Sequence, residues 1–582
     1  MTSLLFALLA LPLWAAPSSD SFISADADRV FTFDPAALYD RQSFAVALNL
    51  FEPLVVFGTD TAKSSFRPFL SMEVPTRENG LLSKDGTVYA FPIRKGVRFH
   101  DGGELTPEDV RYSILRFMLQ DRPGGPAAIL LKPILGVYST RKPDGALAVR
   151  FEDADKAVRV EEEKVVITLK EPYEPFLSLL ASWPFILSKK FAAAQGDWDG
   201  TQASWERFNG LEPRTAPLRR RACGTGPYRV ETSSTAENRA VLTRHDAYWR
   251  GPAPLKTLVF HQVDCEFARL SMLQTGDADT ADLSRSSLKD AAAEPGVLVL
   301  DDLPSSSVGP VLFFNFKADA KDNPALGSGR LDGKGIPPDF FSDPDVRRGF
   351  ACAFDYDLLL NYALRGKGQR AEGPFPFKAF GLPAGAPVCG HEPEKAREHL
   401  KRAFKGALWK KGFQAELAYN ANDSVAQAVA EILSTALREL NGAFSLNPKP
   451  TWKSTLERES LRRRLPLFIS GFEPDYPDLH SYAFSLLHSA GPFPLAQGYS
   501  NPKADALVDS AVRLSDEAAR LKAYAKLQAL YKKDLPQLYF HYPVAYRTVR
   551  EGVSGLRKDD KRLDPFNLHN AFYFYRMSKE PR

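Results

Sequence analysis

The run "GFEPDYPD", residues 471–478, sets three carboxylates, Glu473, Asp475 and Asp478, among two prolines and the rings of Phe472 and Tyr476. Carboxylates grouped on a stiff backbone favour a cation, and a charge-assisted hydrogen bond to one contributes about 1.5–3 kcal/mol. Asp and Pro also suit a plain turn, so the run by itself supports either role. Nine histidines are present, but no H-E-x-x-H, G-x-S-x-G or glycine-rich phosphate loop occurs. His480 and His488 lie eight apart on an expected helix, without a third ligand-type group at helical spacing. No catalytic residue, metal site or cofactor is assigned. Cys223, Cys265, Cys352 and Cys389 form two sequence-neighbouring pairs with no C-x-x-C spacing. In an exported protein they predict two disulfides, with three connectivities open.

The elements that must position these groups are legible from periodicity. In "VRFHDGGELTPEDVRYSILRF", residues 97–117, Val97 and Phe99 continue the alternation of Phe91 and Ile93, which predicts a strand. Asp101, Gly102 and Gly103 turn the chain, and His100 and Asp101 read as turn residues. Thr106 is the expected N-cap, with Pro107 and Asp109 completing a helix start. Val110, Ile114, Phe117 and Met118 then share one helical face. Strand and helix patterns alternate along the chain, giving an α/β or mixed α+β class. "SVAQAVAEILSTALREL" predicts a helix whose face carries Val425, Val429, Ile432, Ala436 and Leu440. The polar, glycine-rich residues 317–340 predict a surface insertion.

Length and composition bound the rest. A chain of 582 residues exceeds what one core supports, so two or three lobes are expected. Seventy-five basic against 71 acidic side chains leave +4, too little to imply nucleic acid. The apolar run Leu4–Ala16 is too short to span a membrane and predicts a secretory signal over residues 1–16.

Several segments, in order, resemble the extracytoplasmic solute-binding proteins of the oligopeptide- and dipeptide-binding family (family 5) of ABC transporters. They are "NLFEPLVVF", "DGTVYAFPIRKGVRFHDGGELTPEDVRYSILRF", "GTGPYRV", "LSMLQTGDADTADL", "DPDVRRGFACAFDYDLLL", "FISGFEPDYPDL" and "GYSNPKADALVDSA". Gly349 departs from the family's usual alanine. The resemblance implies a three-lobed periplasmic binding protein fold with a ligand cleft between lobes I and III. Lobe I would gather residues 17–56, 171–307 and 473–582, lobe II 57–170 and lobe III 308–472. Hinge crossings would fall near Ser307–Pro310 and Gly471–Asp475. The family holds a peptide as an added strand and receives its α-ammonium on a carboxylate, here Asp475, with Phe472 in place of a tryptophan. Glu473 and Tyr476 accompany it, and Tyr39, Asp40 and Arg41 form the strand expected to pair with the ligand. The implied function is a non-enzymatic receptor, monomeric and periplasmic, that delivers peptides to ABC permease subunits. Relatives that bind metal chelates, oligosaccharides or opines supply the alternative; a sugar site would want exposed tryptophans in the cleft, where the sequence does not place Trp183, Trp205 or Trp452.

Overall fold

The computed structural model describes residues 19–58, 65–234, 238–303, 305–376, 380–383, 386–556 and 571–580. The expected secretory signal, residues 1–16, lies outside them. Lobe I is built on a seven-stranded sheet in the order 297–303, 545–550, 280–281, 21–26, 257–262, 239–244, 228–234. Ser21–Asp26 runs parallel to Thr257–Gln262 and to Thr280–Ala281. Lobe II contributes a three-stranded antiparallel sheet of Val88–Pro92, Lys164–Thr168 and Val158–Glu161. Lobes I and II share one apolar core, which runs from Phe22 through Phe91 and Ile114 to Phe574.

Lobe III has a separate core. Its five-stranded sheet follows the order 444–451, 413–420, 467–472, 308–314, 537–539. Val308–Phe314, "VGPVLFF", is buried at every position, as suits a strand covered on both faces. The helix Ser424–Leu440 has the expected bounds, but its buried face is Ala426, Val429, Ala430, Leu433, Leu437 and Leu440. The stripe is turned by about one residue from the expected one, which leaves Val425, Ile432 and Ala436 half-covered. Gly349 is explained by packing. A Cβ there would meet the Leu400 side chain at 2.6 Å, so helix Pro344–Ala353 leaves no room for alanine against helix Pro393–Arg402.

The sheet pairing corrects the expected lobe boundary at residue 473. Helices Leu479–Leu487 and Glu517–Asp534 and strand Gln537–Tyr539 all pack into the lobe III core. Tyr542 still pairs with Gln369 of lobe III, whereas Ala545 pairs with Leu303 of lobe I. The chain therefore passes between the two sheets at residues 305–307 and again at 543–544, and Gly471–Asp475 is no crossing. The misplacement has a physical origin: "GFEPDYPD" has the Pro-rich look of a linker, yet it is the loop that leaves the sheet's third strand.

The stretch "VRFHDGGELTPEDV" folds as its residues dictate. Thr106 and Asp109 form a reciprocal capping box on helix Pro107–Gln120. His100 accepts from the Gly224 amide at 3.2 Å, and its other ring nitrogen lies 3.1 Å from the Gly226 carbonyl. The turn thus sutures lobe II to the "GTGPYRV" segment of lobe I. The buried Arg116 binds Asp34 and Asp197 and strengthens the same seam.

One disulfide forms, Cys352–Cys389. Cys223 is a buried thiol and Cys265 an exposed one, which corrects the expectation of a second bridge. Cys223 lies in the shared core of lobes I and II, whereas Cys265 precedes the exposed start of helix Glu266–Thr275. No helix among the described residues is long and apolar enough to cross a membrane.

Candidate functional site

The carboxyl ends of parallel strands in both sheets turn toward one another, the place where open α/β sheets present their ligand crevice. In lobe I, Ser21–Asp26 ends at Asp26 and Thr280–Ala281 leads into Asp282. In lobe III, Leu467–Phe472 leads into Glu473 and Asp475. Between them lies a cavity of about 260 Å³. Ser305, Ser307, Pro543 and Val544, from both crossings, line its base.

Asp475 is fixed by its own backbone. Its amide donates to Ser481 Oγ at 3.0 Å, and its carbonyl accepts from Trp183 Nε1 at 3.0 Å. Its carboxylate Oδ1 accepts from the Tyr39 hydroxyl at 3.0 Å. Tyr39 is 54% exposed and stacks on Trp183, ring centroids 6.1 Å apart. Loss of water around its hydroxyl, followed by the Asp475 charge, pushes the phenol well above its ordinary range. The tyrosine therefore remains a donor to the carboxylate. The result is a pinned, half-exposed carboxylate beside an open aromatic face.

Two residues away on each strand of chain, Arg41 and Glu473 line the same cavity. Glu473 also accepts from Ser307 Oγ at 3.3 Å. Burial alone would lower the Arg41 pKa, but the charges of Glu473 and Asp282 outweigh it and raise it. Asp26 is pushed up to about 7, chiefly by burial, against the bond from Ser24. Gln42 donates to its other oxygen at 2.7 Å. Arg547 is brought down to about 9 by burial and then by Arg41. Four carboxylates (Asp26, Asp28, Asp282, Glu473) and two guanidinium groups (Arg41, Arg547) thus line the cavity, which favours an ionised, polar guest.

Three expected ligand contacts have other roles. Asp40 is the N-cap of helix Arg41–Leu50 and accepts from the Ser43 amide at 2.8 Å. Phe472 is buried in the lobe III core, packed on Tyr482 and Phe493. Tyr476 is buried in the lobe I and II core, its hydroxyl 2.7 Å from that of Tyr173. In each case the side chain satisfies its own neighbourhood and leaves nothing for a ligand. Arg41 and Glu473 line the cavity, and Tyr39 and Asp475 bond to each other two residues away from them along the chain. Asp478 caps helix Leu479–Leu487 and pairs with Arg520 at 2.6 Å, so it adds no free charge. His480 is buried among rings, and His488 lies 3.6 Å from Asp509. No cluster of three metal-ligating side chains occurs among the described residues.

Sequence reasoning left Trp183 without a position and passed over Asp26, Asp282, Tyr546 and Arg547. An acid closing each of two short apolar runs, "SFISAD" and "ADTAD", was the available signal for the first two. The tryptophan and the 545–550 strand carry no such local mark.

Comparison with known proteins gives the family and the fold. A family model described as bacterial extracellular solute-binding proteins, family 5 Middle, matches residues 77–493. Heme-binding protein A of Haemophilus influenzae is 24% identical, covering 96% of this chain and 92% of its own. Glutathione-binding protein GsiB of Pectobacterium atrosepticum is also 24% identical, covering 92% of this chain and 90% of its own. The solved DppA of Helicobacter pylori, in complex with the peptide STSA, superposes with a TM-score of 0.74. It has 19% identity and covers 96% of this chain and 98% of its own.

Proposed function

The chain belongs to the bacterial extracellular solute-binding proteins of family 5, and from that premise we propose that it is the peptide receptor of an ABC importer. It works as a monomer in the periplasm, closes about residues 305–307 and 543–544, and passes its ligand to membrane permease subunits. One observation supports a peptide most directly: Asp475 is pinned through its backbone, and its half-exposed carboxylate meets Tyr39, two residues along the chain from the cavity-lining Arg41 and Glu473. A peptide's α-ammonium is the complementary group, and its repeating amides pair with backbone in a way that tolerates varied side chains. The charged cavity at the crossings supports an ionised ligand over a plain sugar. Closure follows from the ligand touching both lobes, because only a closed state offers both sets of contacts. Native mass spectrometry of the purified protein tests the reading. Masses of short peptides released on denaturation are expected; a heme, metal-chelate or oligosaccharide mass in their place would replace peptides with that ligand.

A further inference from the structure

Away from both crossings, lobe III makes a second set of contacts with lobes I and II, and none of them borders the charged cavity. Val512, which follows helix Pro502–Ala511 of lobe III, is buried in the core that lobes I and II share. Its carbonyl accepts from the Glu174 amide at 2.9 Å. Tyr138 of lobe II stacks on Phe484 of lobe III, centroids 4.9 Å apart and planes 18° from parallel. The Lys132 ammonium lies 4.6 Å from the centre of the same tyrosine ring. Arg513 reaches Glu171 at 3.3 Å along the rim. Tyr476 and Tyr173 close the inner end.

Because, among the described residues, the chain passes between the two sheets at 305–307 and 543–544, any opening about those segments must pull these pairs apart. We infer that this seam is a closing latch: it sets how strongly the clamp favours its shut state, and so sets affinity for every ligand, without touching one. The seam suits that task. It joins one small apolar plug, Val512, to stacked rings and a half-exposed ion pair, so it is made of contacts that water can replace at modest cost. An obligate interface would instead be broad and continuously apolar. The latch also gives lobe II a task, since Tyr138, Lys132 and the approach to Glu171 belong to it or to its edge. A ligand's apparent dissociation constant falls as the closed fraction rises, so loosening the seam weakens all ligands by one factor and leaves their ranking alone.

The inference uses the two-lobed closure proposed above, but its test does not depend on the ligand being a peptide. The experiment compares the wild type with Tyr138→Ala and with Tyr138→Ala/Val512→Ser by small-angle scattering without ligand, and by calorimetry with trialanine and N-acetyl-trialanine. Expected are a larger radius of gyration in the variants and, for whichever probe binds, a dissociation constant raised about tenfold, with the ratio between probes unchanged. An unchanged radius of gyration overturns the latch, and so does a changed ratio between probes, which would mean that these residues touch the ligand. If the double variant fails to fold, Tyr138→Ala decides alone, because that ring is only half-buried. Failure of the wild type to bind either probe counts against the peptide reading and leaves the scattering result to judge the latch.

Discussion

At the scale of single residues, the molecule separates groups that hold the fold from groups that wait for a ligand. His100 and His480 illustrate the first kind: burial brings each down to about 3, from an ordinary value near 6.5. The folded protein keeps both rings neutral, whereas the unfolded chain takes up protons below about pH 6.5. Stability is therefore complete above that pH and is lost as pH falls toward 3, with a slope of up to about 1.4 kcal/mol per pH unit for each ring. Urea unfolding at pH 7 and pH 4.5 checks this. The midpoint should drop on acidification, and a His100→Gln/His480→Gln variant should drop less. A variant as acid-sensitive as the parent would remove the two rings from the explanation. Asp475 is the candidate for the second kind, and the sequence pointed to it only through the motif around it. Its neighbours Phe472 and Tyr476 looked equally suited to a ligand. Which side of a loop an aromatic ring takes depends on the cores beneath it, and those are assembled from distant segments.

At the scale of elements, local chemistry told a great deal. The capping box at Thr106 and Asp109, the strand before it and the helix Ser424–Leu440 are all written in residues a few positions apart. What local chemistry could not give was partnership. Strand Gln537–Tyr539 joins a sheet whose other members begin more than sixty residues earlier, so the true second crossing at 543–544 left no nearby mark. Cysteine pairing was hidden for the same reason. Cys352 ends a helix and Cys389 lies in the segment that returns to it, whereas Cys223 and Cys265 sit in unrelated surroundings. The bridge closes a loop with a sequence separation of 37, and loops of that size are stabilised by about 3–4 kcal/mol. Burial pushes the Cys223 thiol up to about 12, so it should be inert while folded. A thiol titration should find one reactive group in the native protein, from Cys265, two after unfolding and four after unfolding with reductant. Four thiols without reductant would remove the bridge, and two native thiols would contradict the burial of Cys223.

At the scale of the whole molecule, lobe III, with its own core, is joined to lobes I and II by two short crossings, the architecture of the proposed clamp, and the charge balance follows it. The chain as a whole carries +4, yet the cavity at its crossings holds twice as many carboxylates as guanidinium groups. Closed low-dielectric walls concentrate such a local field and draw a complementary guest. The lobe III residue Asp475 meets Tyr39 and Trp183 of lobe I, so under the proposed function recognition and closure share one set of contacts.

Calorimetric titration of the wild type and Asp475→Asn with trialanine and N-acetyl-trialanine tests that link most directly. The free peptide should bind the wild type about 10- to 100-fold more tightly than its acetylated form, the worth of one charge-assisted bond. Asp475→Asn should erase most of that difference. Equal binding of the two peptides by the wild type would contradict the carboxylate's role as the receiver of the amino end.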